Sequence, residues 1–217
     1  MNMSKKVGIL GTGMVGQVLA SGFMKHGHQV MIATRDAGKV ADWLAKNPSG
    51  KVGNHKEVAK WADIFVLATK GSAAEAAIRL CDSADLAGKT VIDATNPIAD
   101  APPTNGVLHY FTTLEESLME QLQKASPKAN FVKAFNSVGN AFMVNPDFGG
   151  VKPTMFICGN DANAKKEVIA ILDQFGWESE DMGGVEGARA IEPLCILWCI
   201  PGFARNQWNH AFKLLKK

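Results

Sequence analysis

Much of what enzymes commonly use for chemistry is scarce in this chain. It has four cysteines, Cys81, Cys158, Cys195 and Cys199, with no C-x-x-C pair and no histidine at zinc spacing. They read as reduced thiols of a cytoplasmic protein, which argues against a disulfide scaffold or a metal centre. There is one tyrosine, Tyr110, and Leu114 stands four residues on, so the Tyr-x-x-x-Lys of short-chain dehydrogenases is missing. G-x-S-x-G and H-E-x-x-H are missing as well. The five histidines (His26, His28, His55, His109, His210) are scattered, and His26 and His28 close a helix, where they read as surface residues. No apolar run approaches the ~20 residues of a membrane span, and residues 1–6 are too short and polar for a signal peptide. A formal net charge of +2 without a basic stripe argues against a nucleic-acid partner.

What is present is concentrated near the start. Residues 5–18 read KKVGILGTGMVGQV. A buried strand over residues 7–10 runs into Gly11, Gly13 and Gly16, spaced G-x-G-x-x-G. The apolar positions then take helical spacing at Val15, Val18, Leu19 and Phe23, and Gly27 marks a helix end. Glycines alone are weak evidence, but between a strand and an amphipathic helix they gain a mechanism. Gly11 allows the tight turn, Gly13 the approach of backbone N–H groups to a pyrophosphate, and Gly16 close packing of helix on strand. The helix start adds partial positive charge for the same phosphates.

The second strand, residues 29–33, ends in Thr34-Arg35-Asp36. NAD-binding chains place an Asp or Glu there for the ribose 2′-hydroxyl. A carboxylate would repel a 2′-phosphate, whereas Thr34, Arg35 and Lys39 would surround one, so the pattern favours NADP. Asp36 reads as the cap of the following helix.

Further on, residues 63–69 form an almost wholly apolar strand that leads to Ala68, Thr69 and Lys70, expected beside the adenosine half of the cofactor. Residues 89–93 give a fifth strand, followed by Thr95, Asn96 and Pro97. Residues 98–112 read as a long irregular loop, a candidate lid or acceptor-binding loop. Thr112 or Thr113 with Glu115 or Glu116 suggests a capping box for a helix over residues 114–124. The sixth strand, residues 130–135, ends in Asn136 and Ser137. Ligands bind outside the carboxyl ends of parallel strands, so Asn96, Pro97, Ala134, Phe135, Asn136 and Ser137 should converge on the nicotinamide end. Two more strands, near residues 154–159 and 177–182, flank a helix over residues 162–175. The apolar run PLCILWCI, residues 193–200, reads as a helix buried on every side, with a partner subunit as a plausible cover. Cys195 and Cys199, one turn apart there, read as core filling.

The expected architecture is α/β: a Rossmann-type, doubly wound, mostly parallel sheet with a helical C-terminal extension. Residues 1–140 would form the NADP-binding domain, and residues 141–217 an extension on the same sheet that makes dimer contacts. No conventional acid–base set is present. Carbonyl reduction gains from a positioned proton donor, whereas hydride exchange between two stacked rings needs mainly positioning and exclusion of water. Three readings remain open: a hydride-exchanging NADPH enzyme, a small carbonyl or imine reductase with water or Tyr110 as donor, and a non-catalytic NADP sensor.

Six stretches, VGILGTGMVGQVLA, the Thr34, Arg35 and Lys39 set, AGKTVIDATNP, VKAFNSV, MFICGND and DMGGVEGARAIEPL, run in order over almost the whole chain. Together they resemble the NADP oxidoreductases dependent on a deazaflavin coenzyme. They are also similar to the cytoplasmic oxidoreductase domain of the six-transmembrane epithelial antigen metalloreductases. The resemblance implies an NADP-binding fold with the phosphates on Thr12, Gly13, Met14 and Val15, next to Gly11, the 2′-phosphate on Thr34, Arg35 and Lys39, and the KAFNS strand end approaching the nicotinamide. A deazaflavin, FMN or FAD ring would stack against it, and the C-terminal helices would join a homodimer. The chain departs from the metalloreductases in that no membrane-spanning haem domain follows, which argues against a self-contained metalloreductase.

Overall fold

The strand β1 (Lys6–Leu10) is buried from its second residue onward, and the chain winds outward from it on both sides. The computed structural model describes residues 4–217, so the part of the N-terminal expectation that concerns residues 1–3 lies outside the described residues. Five more strands join β1: β2 (Gln29–Ala33), β3 (Lys51–Gly53), β4 (Ile64–Leu67), β5 (Thr90–Asp93) and β6 (Asn130–Lys133). Their order is β3-β2-β1-β4-β5-β6, and every pairing is parallel. After β3 the chain crosses back to the other side of β1. The reversal opens a crevice at the carboxyl ends of β1 and β4, the usual ligand position in such sheets.

Parallel strands buried on both faces need helices on both. Alternate strand residues divide accordingly. Ile9, Ile64, Val66 and Val132 pack with Leu19 and Phe23 of α1 (Met14–Lys25) and Val168 and Leu172 of α7 (Ala162–Gln174). Leu10, Phe65, Leu67 and Phe131 pack on the other face, with Val58 of α3 (His55–Trp61), Ile78 of α4 (Gly71–Arg79) and Leu122 of α6 (Leu118–Ala125). The short α2 (Ala41–Lys46) and α5 (Ser83–Leu86) fill the remaining crossovers. The strands β7 (Thr154–Ile157) and β8 (Glu178–Asp181) form a separate parallel pair. A single antiparallel bridge from Cys158 to Lys133 stitches that pair to the edge of the main sheet. The helices α8 (Ala188–Ile191) and α9 (Pro193–Arg205) follow.

Three expectations are corrected. The helix expected over residues 114–124 begins only at Leu118, where Ser117 and Glu120 form the capping box. Leu114 is 71% exposed and has no core to face, whereas Ser117 is buried, so the more protected cap is used. Residues 98–112 are less irregular than their composition suggests. Ile98 and Tyr110 form an antiparallel bridge, Ala99 N–H donates to His109 O at 2.8 Å, and Thr104 and Val107 close the tip. His28 is buried, accepting from Lys5 N–H through Nδ1 at 3.2 Å, with Nε2 3.2 Å from Gln174 Oε1. Within the single chain the apolar run in α9 buries Cys195, Trp198 and Cys199 and leaves Leu197 55% exposed, so any cover of that side would come from a partner.

Candidate functional site: the carboxyl edge of the sheet

The glycine turn is built by close approach. Gly11 has φ +137°, and a Cβ there would lie 2.3 Å from Ala68 O. A Cβ on Gly16 would lie 2.2 Å from Gly11 O. Neither position tolerates a side chain without moving backbone. Gly13 differs, since a Cβ there would meet nothing within 4 Å, so space is open in front of it. Behind that space α1 begins with no side-chain cap and no acid in its first turn. Its first N–H groups therefore lack the partners that a cap would supply, which suits an anion. Gln17 steadies the turn by donating from Nε2 to Thr12 O at 2.8 Å. Met14 is exposed at the helix start and Val15 is half-buried.

At the end of β2 the Thr34 hydroxyl is spent locally, accepting from Asp36 N–H at 3.0 Å and donating to Asp36 O at 2.8 Å. Asp36 accepts from Gly38 N–H at 2.9 Å, the capping role expected of it. Arg35 and Lys39 are exposed. Among the described residues neither forms an ion pair. Two cations without counter-ions beside an open helix start fit a dinucleotide with an extra phosphate.

Past β4 and β5 lies a cavity of about 440 Å³ lined by Thr69, Lys70, Thr95, Asn96 and Ala99. Thr69 Oγ1 is buried there without a protein hydrogen-bond partner. Lys70 is exposed and 3.5 Å from Asp100, an ion pair in water that is worth little. Asn96 donates from Nδ2 to Asn136 O at 2.7 Å, and Asn136 returns a bond to Asn96 Oδ1 at 3.2 Å and donates to Ile191 O at 3.0 Å. These amides lace the ends of β5 and β6 together, as expected from topology. Pro97, Ala134 and Ser137 are buried. Phe135 has φ +63°, and its ring lies 6.0 Å from that of Phe175 in the core. Only the backbone of Phe135 is left for a ligand.

Sequence reasoning missed the group beneath this floor. Lys133 and Asp93 are paired in register on β6 and β5. Lys133 Nζ lies 2.7 Å from Asp93 Oδ2, 2.9 Å from Glu192 Oε1 and 3.0 Å from Thr95 O. Asp93 Oδ1 accepts from Thr95 N–H at 2.9 Å and Thr95 Oγ1–H at 2.6 Å. Glu192 accepts from Leu118 N–H and Met119 N–H, each at 3.0 Å, at the start of α6. Lys133 and Asp93 are wholly buried and Glu192 nearly so. Burial alone would depress the Lys133 ammonium, but Asp93 and then Glu192 outweigh it and hold the group above its ordinary value. The signal was in the sequence. A lysine inside NFVKAF, on a strand buried on both faces, needs a carboxylate partner.

This arrangement can hold a shape but has no proton to give. Lys133 Nζ lies within 2.9 Å of both carboxylates and donates to Thr95 O, so its charge is matched inside the fold. The hydroxyl of Tyr110 donates to Glu192 O at 2.8 Å and pins the 98–112 hairpin to the start of α9. Burial first, then neighbouring Cys195, pushes the Tyr110 phenol well above its ordinary range. Among the described residues no cluster of His, Cys, Asp and Glu suits a metal ion, and no helix is long and apolar enough to cross a membrane.

A glycine turn on a parallel sheet, an open helix start and unpaired cations beyond β2 define a Rossmann-type α/β protein of the nucleotide-dependent oxidoreductase class. Comparison with known proteins sharpens this. Residues 6–97 match the family described as NADP oxidoreductase coenzyme F420-dependent. A crystal structure from Arthrobacter sp. FB24, described provisionally as an F420-dependent NADP-reductase, superposes with TM-score 0.92 at 32% identity, covering 98% of this chain and 100% of that one. The chain belongs to this family of NADP oxidoreductases. F420-dependent NADP reductase of Methanocaldococcus jannaschii is 29% identical over 204 residues, covering 88% of this chain and 90% of the relative. Metalloreductase STEAP3 of Rattus norvegicus is 30% identical over 202 residues, 90% of this chain but only 38% of that longer protein.

Proposed function

We propose that this protein exchanges hydride between NADPH and a deazaflavin or flavin ring. The observation that carries the reading is a contrast in the site. The edge offers open donors and cations for a phosphorylated dinucleotide, while the nicotinamide end has no free acid or base. Bound NADP would supply the hydride carrier. The turn from Gly11 to Val15 would hold its diphosphate, Arg35 and Lys39 its 2′-phosphate with Thr34 fixing the turn that presents them, and Ala68, Thr69 and Lys70 its adenosine side. Asn96, Pro97, Ala134, Phe135 and Asn136 would then fix the nicotinamide through amide and backbone contacts and exclude water, leaving catalysis to positioning. A deazaflavin acceptor is favoured by the family and by its archaeal relative's name; FMN and FAD share the ring chemistry. The carbonyl and imine reductase reading loses its best proton donor, because the Tyr110 hydroxyl is committed to Glu192 O. We assign the protein to the cytoplasm as a homodimer, with the exposed Leu197 and Phe203 side of α9 in the contact.

Anaerobic absorbance spectroscopy tests the proposal. NADPH mixed with protein and F420, FMN or FAD in turn should lose its absorbance as one of these acceptors is reduced. Failure with all three, by protein that demonstrably binds NADPH, would overturn it.

A further inference from the structure

The corner where the extra phosphate is expected has a third wall. β3 lies parallel to β2, and Thr34 N–H donates to Gly53 O at 3.0 Å. The turn after β3 therefore shares the carboxyl edge with Arg35. His55 stands two residues beyond Gly53 as the first residue of α3. It is half-buried, and its carbonyl is tied to the Cys81 thiol at 3.7 Å. Among the described residues, neither ring nitrogen of His55 is assigned a hydrogen-bond partner, unlike those of His28. Among the charged neighbours, Lys56 pairs with Asp82 at 3.3 Å, Glu57 Oε2 accepts from Asn54 N–H at 2.8 Å, and Asp36 Oδ1 is spent on Gly38 N–H. Asp85 stands on α5, which packs on α3, with Oδ2 buried and without a protein hydrogen-bond partner. Arg35 and Lys39 remain without acidic partners, so the corner is cationic.

We propose that His55 is a specificity-determining residue that closes the 2′-phosphate pocket from the β3 side and takes up a proton when the phosphate docks beside Arg35. In the free protein, burial and then the charge of Arg35 keep His55 below its ordinary value, hence neutral near pH 7. A dianion between the two side chains reverses the balance. It cancels the repulsion from Arg35 and accepts from the imidazolium N–H. The proton comes from solvent, and no bond of the nucleotide changes. A nucleotide lacking the 2′-phosphate offers no such compensation, so His55 stays neutral and contributes nothing.

The inference rests on the NADP reading, and the test separates the two. Titration calorimetry with 2′,5′-ADP and with 5′-AMP, in buffers of different protonation heat, reads proton uptake directly on the intact protein. Near pH 7.5 the 2′-phosphate, with its second pKa about 6, is already a dianion, so uptake reports the protein. We expect net proton uptake with 2′,5′-ADP, of at most one proton per site, and almost none with 5′-AMP. Affinity for 2′,5′-ADP should fall several-fold, at most about tenfold per unit, as pH rises above about 7, with 5′-AMP flat. His55→Gln should abolish both the uptake and the slope while leaving 5′-AMP binding unchanged. Preference for 2′,5′-ADP without proton uptake, or a slope that survives in His55→Gln, overturns the role of His55 alone. Equal affinity for the two nucleotides overturns the NADP reading with it. The wild-type measurement stands even if the variant folds poorly.

Discussion

At the end of β2, Arg35 and Lys39 stand in water without counter-ions, whereas at the ends of β5 and β6 Asp93, Lys133 and Glu192 are sealed away and bonded to one another, to Thr95 and to backbone amides. Both places carry charge at the same edge of one sheet. An exposed cation costs little to leave unpaired, so the β2 corner can keep its charge in reserve for a ligand. A buried ion has no such freedom. Its desolvation must be offset by partners already in the fold, and whatever is fully partnered has nothing left for substrate. On the reading proposed above, the first region would recognise the cofactor by charge and the second would support the floor without offering a proton.

The comparison breaks most easily at Lys133. Lys133→Met would leave Asp93 and Glu192 buried without their cation, a loss of about 3–5 kcal/mol in unfolding free energy. Urea unfolding followed by circular dichroism checks this. A variant within about 1 kcal/mol of wild type would mean that water or a neighbour solvates the carboxylates. The β5–β6 floor would then be as open as the β2 corner.

Arg35 tests the other half. Removing an exposed side chain without a protein partner should leave the melting temperature almost unchanged. Arg35→Ala should nevertheless weaken NADP by about ten- to a hundredfold, since a charge-assisted bond is worth about 1.5–3 kcal/mol, and leave NAD unaffected. Paired titrations with the two nucleotides give the answer. Equal losses for both would place the phosphate elsewhere.

The same contrast explains what could be read from the residues alone. The features proposed to bind the cofactor depend on local order: Gly11, Gly13 and Gly16 fall within six residues, and Arg35 lies two residues past the end of a strand. Such patterns have a mechanism that needs no partner from elsewhere in the chain. The parallel strands were legible for a similar reason, since residues 64–67 and 90–93 are buried on both faces. Glu192 had no such signature. It reaches Lys133 from 59 positions further on, and nothing in EPLCIL marks its carboxylate as a ligand for a strand lysine. The displaced start of α6 has a related cause. Thr113 and Ser117 both precede a glutamate at box spacing, and only tertiary burial decides between them.

An intermediate case sharpens the boundary between the two regions. Glu120 of α6 is nearly buried, but its partner Arg189 is half-exposed. Arg189 Nη2 donates to Glu120 Oε1 at 2.6 Å and Nε to Oε2 at 3.0 Å, and Ser117 adds a backbone N–H at 2.8 Å. Arg189 first, against the opposing cost of burial and with help from Ser117, depresses the Glu120 carboxyl to about 2 from 4.5. A depressed carboxylate stabilises the folded state above its unfolded value and loses that contribution on protonation. The stabilisation should therefore be complete above about pH 4.5 and disappear as pH falls through about 2. Solvent around Arg189 screens the pair, so Glu120→Gln should cost only about 1–2 kcal/mol near neutral pH. It should also flatten the fall in urea midpoint between about pH 4.5 and 2. A loss as large as that of Lys133→Met would show that α6 and α8 are sealed as tightly as the triad, and that the supporting region extends to the protein surface.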